Sequence, residues 1–226
     1  MNGSAYKYFL GMLLAVGLGL GAYVVYGSYS KRGKENKPQQ PVAQLNTPVG
    51  DFTLTDRFGK EFHAKDLLGE VWVASFFFTE CPTVCVQLNG TIADLIEQDF
   101  ADDPVKFVSI SVDPKKDDLE VLHRYAATTY VEARGIDPER WIFLTEPDGK
   151  IYKIEEIAKD NFKVSSGKIT HSDRLIIVDR KGVIRAAISS GWDYEVERFK
   201  GVLREVLDEE AGEQPSADGE TDSSAG

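Results

Sequence analysis

Cys81 and Cys85 are the only two cysteines in this chain of 226 residues, and they lie four positions apart in the segment FTECPTVC. Two thiolates can hold a soft metal ion, such as Cu(I) or zinc, or they can cycle between dithiol and disulfide. The three intervening residues favour chelation, because the thioredoxin redox motif has only two. The alternative is that both are small apolar core residues, since free cysteine is often buried. We favour metal binding or redox cycling over a core role, because the only two cysteines of the chain lie together where a predicted strand meets a predicted helix.

That junction lies between a predicted strand and a predicted helix. The apolar run VWVASFFFT, residues 71–79, is typical of a strand buried on both faces, and Leu88 and Ile92 then repeat at helical spacing. Pro82 suits the first helical turn. Residues four apart share a helix face, so the two sulfurs are predicted to point at one spot. The positive end of the helix favours thiolate there, and Cys81 is predicted to be the more acidic thiol.

Two sulfurs leave a soft ion in need of a third ligand, and the chain offers three histidines. His63 follows a predicted hairpin strand and is expected to lie at the surface. His123 lies on a predicted helix and is expected to be a half-buried structural residue. His171 begins a strand of a second predicted hairpin and could reach the cysteines only through tertiary folding. The residue pattern alone leaves its role open.

Composition excludes several classes of protein. With two cysteines, a Cys₄ zinc site and a multi-disulfide scaffold are impossible. The net charge is −11, and acidic residues without any basic residue run from Asp208 to the end. The remainder is mildly acidic, so no nucleic-acid partner is expected.

Residues 1–30 are predicted to be a transmembrane anchor. Tyr8 to Tyr26 carry no charge, and tyrosines flank the run on both sides, as in an interfacial aromatic belt. A cleaved signal peptide is the alternative, and the lack of an A-x-A site after the run favours a retained anchor. The basic residues after the run place the following domain in the cytoplasm by the positive-inside rule. The chemistry of the site favours the opposite side.

The remaining chain divides into three segments. Residues 31–48 are polar with three prolines and are predicted to be a linker, and residues 208–226 a disordered acidic tail. Residues 49–207 alternate hairpins, buried strands and amphipathic helices. That order predicts an α/β domain with a mixed central sheet, flanking helices and inserted hairpins, compatible with a thioredoxin-like fold.

Residues 45–207 resemble the Sco/SenC family, thioredoxin-like membrane-anchored proteins that deliver copper to cytochrome c oxidase. The resemblance rests on the segments VWVASFFFTECPTVC, VKFVSISVDPKKDD, WIFLT and THSDRLIIVDRKG. It implies copper ligation by Cys81, Cys85 and His171, with Cu(I), and also Cu(II), as the bound ion. It further implies a single-pass protein of the inner membrane whose domain faces the periplasm or another extracytoplasmic space, with the copper-bearing oxidase subunit as its partner.

The chain departs from the family pattern at three positions. Val86 stands where the family usually has proline, and Thr83 and Thr170 stand where it commonly has aspartate. These changes bear on copper affinity and on the client more than on the fold. Asp113 matches a recurrent family residue, and two roles are open for it: a residue near the site, or a turn-forming aspartate before Pro114.

Three functions compete for the cysteine pair. A copper metallochaperone, which is not an enzyme, needs His171. A thiol:disulfide reductase that keeps the cysteines of a client copper site reduced needs only Cys81 and Cys85 as its redox pair. A peroxiredoxin-like peroxidase is disfavoured, because its PxxxTxxC pattern is absent at both cysteines.

Overall fold

The structure is a computed structural model that describes residues 45–164 and 172–212, with the backbone alone at 210–212. Three of its helices continue into π-helical turns. The strands are β1 (Thr47–Pro48), β2 (Thr53–Asp56), β3 (Glu61–His63), β4 (Val71–Phe77), β5 (Val105–Ser111), β6 (Trp141–Thr145), β7 (Arg174–Val178) and β8 (Val183–Ser189). The helices are α1 (Val84–Asp94), α2 (Leu119–Tyr125), α3 (Val131–Arg134), α4 (Ile151–Glu156) and α5 (Asp193–Gly212), and the π-helical turns are Leu95–Asp99 after α1, Ala126–Tyr130 after α2 and Ile157–Asn161 after α4.

The described strands form one mixed sheet in the order β1-β8-β7-β4-β5-β6-β2-β3. Strands β4, β5 and β6 are parallel, and the other pairings are antiparallel. All seven residues of β4 are buried, as the apolar run predicted, because both faces of the sheet are covered. The predicted α/β class, the mixed sheet and the two hairpins are confirmed.

Each face of the sheet carries its own apolar core. Side chains alternate along β4, so Val73 and Phe77 face one core and Trp72 and Phe76 face the other. The first core is covered by α1, α2 and α5, and it contains both cysteines. The second is covered by the β2–β3 hairpin and α4. The cysteines therefore lie on the face of β4 that α1, α2 and α5 cover.

The ordered domain extends beyond the predicted boundaries at both ends. Thr47–Pro48, assigned to the linker, forms β1 against β8, and the Val49 N–H donates to the Gly182 carbonyl at 2.8 Å. Helix α5 continues to Gly212 instead of giving way to a tail at 208. An ion pair of 2.8 Å between Arg185 and Glu209 ties this extension to β8. Composition did not predict either contact, because each partner lies far away in sequence.

Some of the predictions fall outside the described residues. These are the anchor at 1–30, the linker up to residue 44, Thr170 and His171, and the tail beyond 212. Within 45–164 and 172–212, no helix is long and apolar enough to cross a membrane.

Candidate metal and redox site

The cysteine motif lies at the carboxyl end of β4, but it is not wholly helical. Helix α1 begins at Val84, so Cys81 lies in the preceding loop and Cys85 in the first turn. The prediction that Pro82 opens the helix and that both cysteines share a helix face is therefore wrong. The N-cap residue Thr83 has φ −136° and ψ −87°, and its side chain makes no capping hydrogen bond.

The sulfur of Cys81 takes the place of the missing side-chain cap. The backbone N–H of Cys85 donates to Cys81 Sγ at 3.4 Å. The first N–H groups of a helix have no intrahelical partner, so a sulfur here satisfies one of them. The loop thus brings the two sulfurs together by a route other than the one predicted.

The pKa values of the two thiols shift in opposite directions. Burial alone would raise the pKa of Cys81, but hydrogen bonds from the Cys85 thiol and from the backbone N–H groups of Thr83, Cys85 and Val84 outweigh it and lower the pKa. Burial, reinforced by the hydrogen bond with Cys81, raises the pKa of Cys85 to about 12. Cys81 is 6% exposed and Cys85 only 2%. These directions agree with the prediction that Cys81 is the more acidic thiol.

This asymmetry predicts a difference in reactivity between single-cysteine variants. At neutral pH, Cys85→Ser, which retains Cys81, should react with iodoacetamide at least about tenfold faster than Cys81→Ser, because thiolate is the nucleophile. The serine hydroxyl in Cys85→Ser can still donate to the Cys81 sulfur. Rates measured against pH for both variants check this. Faster alkylation of Cys81→Ser at neutral pH would reverse the assignment of the leading thiol.

Asp117 is a site residue that the sequence did not identify. It is 1% exposed, and its carboxylate accepts hydrogen bonds from the Thr79 N–H at 3.1 Å, the Thr79 hydroxyl at 2.5 Å and the Ser111 hydroxyl at 2.5 Å. Burial raises the pKa of Asp117, while these donors act in the opposite direction. Its charge also contributes to the raised pKa of Cys85. In the sequence, the only indication of this role was the pair Asp117-Asp118 shortly after a buried strand. Asp118, the second of the two, caps α2 by accepting from the Val121 N–H at 2.9 Å.

Asp113 forms the turn that presents Asp117. Its backbone carbonyl accepts from the N–H of Lys116 at 3.0 Å and from that of Asp117 at 2.9 Å. Its charge also raises the pKa of Asp117, after the larger effect of burial. The turn-forming role is therefore present, and it lies next to the site.

The two described histidines are engaged elsewhere. His63 Nδ1 lies 3.0 Å from Thr53 Oγ1 and its Nε2 lies 2.9 Å from Glu61, which fits the predicted surface role. His123 is exposed and lies edge-on to Phe58 with ring centroids 5.4 Å apart, so the prediction of a half-buried residue is wrong. The reason is that Leu122, not His123, faces the core. Among the described residues no group of three or more metal-ligating side chains is assembled, and His171 lies outside them.

The outer rim of the site is exposed. Glu80, just before Cys81, forms an ion pair of 2.5 Å with Lys116. Val86, where the family pattern has proline, is 52% exposed. Thr83, where it has aspartate, is the uncapped N-cap described above. Two of the three departures thus lie on the side of the site that faces solvent.

A mixed sheet with helices on both faces and a cysteine pair between a buried strand and a helix define a thioredoxin-like protein. Residues 40–196 match the SCO1/SenC family, and the chain belongs to it. It is 34% identical to the SCO1 protein homolog of Bacillus subtilis over 139 residues, which cover 61% of this chain and 68% of that one. It is 31% identical to the human mitochondrial SCO2 homolog over 128 residues, which cover 55% of this chain and about half, 47%, of that one.

Solved structures share this fold. BsSco, described as a member of the Sco family of cytochrome c oxidase assembly proteins with a disulfide switch, superposes with a TM-score of 0.63 at 28% identity, over 75% of this chain and 99% of that one. ScoI of Bradyrhizobium japonicum, solved with copper bound, gives a TM-score of 0.54 at 24% identity over 71% and 99%. The resemblance to Sco/SenC proteins expected from the sequence is confirmed.

Proposed function

We propose that this protein is a copper metallochaperone that delivers copper to the dinuclear copper site of cytochrome c oxidase. The observation that carries the proposal is that the two cysteines lie next to each other: the backbone N–H of Cys85 donates a hydrogen bond of 3.4 Å to the sulfur of Cys81. Thiolates select soft ions such as Cu(I) over hard cations. Sco family proteins are associated with cytochrome c oxidase assembly, and relatives have been solved with copper bound. Both facts support copper as the cargo and the copper-bearing oxidase subunit as the partner.

His171 is proposed as the third ligand. Two thiolates and one neutral imidazole form a donor set suited to Cu(I), and imidazole also suits Cu(II). His63 and His123 make contacts of their own with Thr53, Glu61 and Phe58. His171 lies shortly before β7, which pairs with β4 through Ala74 and Ile176. Because the two strands are antiparallel, the start of β7 lies at the edge of the sheet where β4 ends.

Copper binding should weaken as pH falls. The metal binds thiolate, and the pKa of Cys85 is raised to about 12, so the ion must displace its proton at neutral pH. Cys81 has a lowered pKa and resists protonation to lower pH. One copper per chain is expected under reducing conditions at neutral pH, with release of protons measured in weakly buffered solution. Metal analysis of the purified protein that gave no bound copper would overturn the metallochaperone proposal.

A thiol:disulfide reductase is the second candidate, and the unequal thiols favour it. A leading thiol with a lowered pKa attacks a client disulfide, and a buried second thiol then resolves the mixed disulfide. Incubation of the copper-free dithiol protein with the oxidised copper-bearing domain of the oxidase subunit separates the two functions. Loss of the client disulfide supports the reductase, whereas copper transfer to the reduced client supports the chaperone.

We also propose that residues 1–30 anchor the protein in the inner membrane, with the domain on the extracytoplasmic side. The support is chemical, since the oxidase copper centre of this type is assembled there according to the family resemblance. The basic residues after the apolar run oppose this orientation. Alkaline phosphatase fused to the carboxyl terminus should be active, because its disulfides form only outside the cytoplasm. An inactive fusion, with an active cytoplasmic reporter at the same position, would reverse the orientation.

A further inference from the structure

Asp117 joins the ends of three neighbouring parallel strands. Its carboxylate binds Thr79, just after β4, and Ser111, the last residue of β5. Its backbone carbonyl accepts from the hydroxyl of Thr145, the last residue of β6, at 2.8 Å. The metal and redox chemistry assigned above uses none of these groups. The Asp117 side chain therefore ties the end of β4, from which the cysteine loop departs, to the end of β5, and its backbone carbonyl holds the end of β6.

The strand end held by Asp117 contacts both cysteines. Thr79 lies two residues before Cys81, and the carbonyl of its neighbour Phe78 accepts from the Cys81 N–H at 3.3 Å. The N–H of Phe78 donates a hydrogen bond that lowers the pKa of Cys85, against the larger effect of burial. A shift of Thr79 would thus move the backbone groups that position both sulfurs.

The side-chain carboxylate of Asp117 acts only as a hydrogen-bond acceptor. A buried carboxylate destabilises a folded protein unless donors replace its lost water. Here the donors are the Thr79 N–H, the Thr79 hydroxyl and the Ser111 hydroxyl. An apolar residue would leave the Thr79 N–H without this partner and would release the strand end.

We propose that Asp117 is the positioning residue of the cysteine site, which fixes the Phe78–Thr79 backbone and thereby sets the separation of the Cys81 and Cys85 sulfurs. It acts through hydrogen bonds and not as a metal ligand. For copper, this inference rests on the function proposed above. For disulfide formation it stands independently of the metal.

The test compares Asp117→Ala with Asp117→Asn, and uses Asp118→Ala as a matched control. Asparagine can place its oxygen where Oδ2 lies, to accept from the Thr79 N–H and Ser111, and its NH₂ group can donate to the Thr79 hydroxyl oxygen. Asp117→Ala should lower Cu(I) affinity about 10–100-fold, the range seen when supporting residues of metal ligands are removed. Asp117→Asn and Asp118→Ala, which removes an exposed helix cap, should stay within about threefold of the unmodified protein.

A second measurement does not involve copper. In glutathione buffers the dithiol transfers two electrons and two protons to oxidised glutathione, which forms the intramolecular disulfide and two reduced glutathione molecules. Asp117→Ala should shift this equilibrium constant about tenfold, equivalent to about 30 mV, while Asp117→Asn restores it. If the unmodified protein bound no copper, the proposed function would fail, and this equilibrium would still test the role of Asp117.

Two results would overturn the inference. One is Asp117→Ala with unchanged copper affinity and an unchanged glutathione equilibrium. The other is Asp117→Asn as impaired as Asp117→Ala, which would assign the effect to charge instead of to position. If Asp117→Ala does not fold, as judged by far-UV circular dichroism, Thr79→Val takes its place. Thr79→Val removes the hydroxyl donor to Asp117 and keeps the Thr79 N–H. It should shift the Cu(I) affinity and the glutathione equilibrium constant in the directions expected for Asp117→Ala.

Discussion

Replacing His171 with alanine is expected to lower Cu(I) affinity by at least about 100-fold and to leave the fold intact. Loss of a direct ligand should exceed the 10–100-fold cost of losing a residue that merely supports one. The remaining Cys81 and Cys85 would hold copper through two sulfurs alone. Competition with a chromophoric Cu(I) chelator measures the affinity, and far-UV circular dichroism reports whether the variant is folded.

The other two histidines provide matched controls. His63→Ala removes contacts with Thr53 and Glu61, and His123→Ala removes an edge-on contact with Phe58. Both variants should bind copper within about twofold of the unmodified protein, because among the described residues neither ring joins the thiols in a group that could hold a metal ion. Equal affinity in all three variants would refute the three-ligand site and leave a two-sulfur site. A loss in His63→Ala alone would transfer the ligand role to that residue.

The strands around the site could be predicted from sequence because each one coincides with a nearly continuous run of apolar residues. The run before Cys81 becomes β4, and the segment from Val105 becomes β5, with ends displaced by a residue or two. Burial on both faces requires nearly continuous apolar residues, and few other structures accept such a run. The cysteine pair could be identified for a different reason: the chain has no other cysteines, and these two lie four residues apart.

The details of the site depend on contacts that no local pattern records. Helix α1 begins at Val84 and not at Pro82. The Cys85 N–H in its first turn donates to the sulfur of Cys81, and the N-cap side chain makes no capping hydrogen bond. Asp117 and Asp118 look alike in sequence, yet one is buried against Thr79 and Ser111 and the other caps α2 at the surface. Only the packing of β4 against β5 distinguishes the two carboxylates.

Oxidation of Cys81 and Cys85 to a disulfide is expected to abolish copper binding. The two sulfurs would then carry neither charge nor the lone-pair basicity of thiolate, and only an imidazole would remain to hold the ion. The lowered pKa of Cys81 makes it the first sulfur to react with an oxidant, and the adjacent Cys85 thiol then completes the bond. Oxidised glutathione supplies this chemistry, since it accepts the two electrons and two protons that the dithiol loses.

The measurement is copper stoichiometry before oxidation, after oxidation, and after reduction with dithiothreitol, with mass spectrometry to count free thiols at each stage. The expected sequence is one copper per chain, none, and one again. Cys85→Ser, treated in the same way, controls for mixed disulfides with glutathione, because it cannot close an intramolecular bond. If the fully oxidised protein retained its copper, the thiolates would not be the ligands. A chaperone with this site must therefore receive its metal while reduced, which makes the redox state of Cys81 and Cys85 a condition of copper delivery.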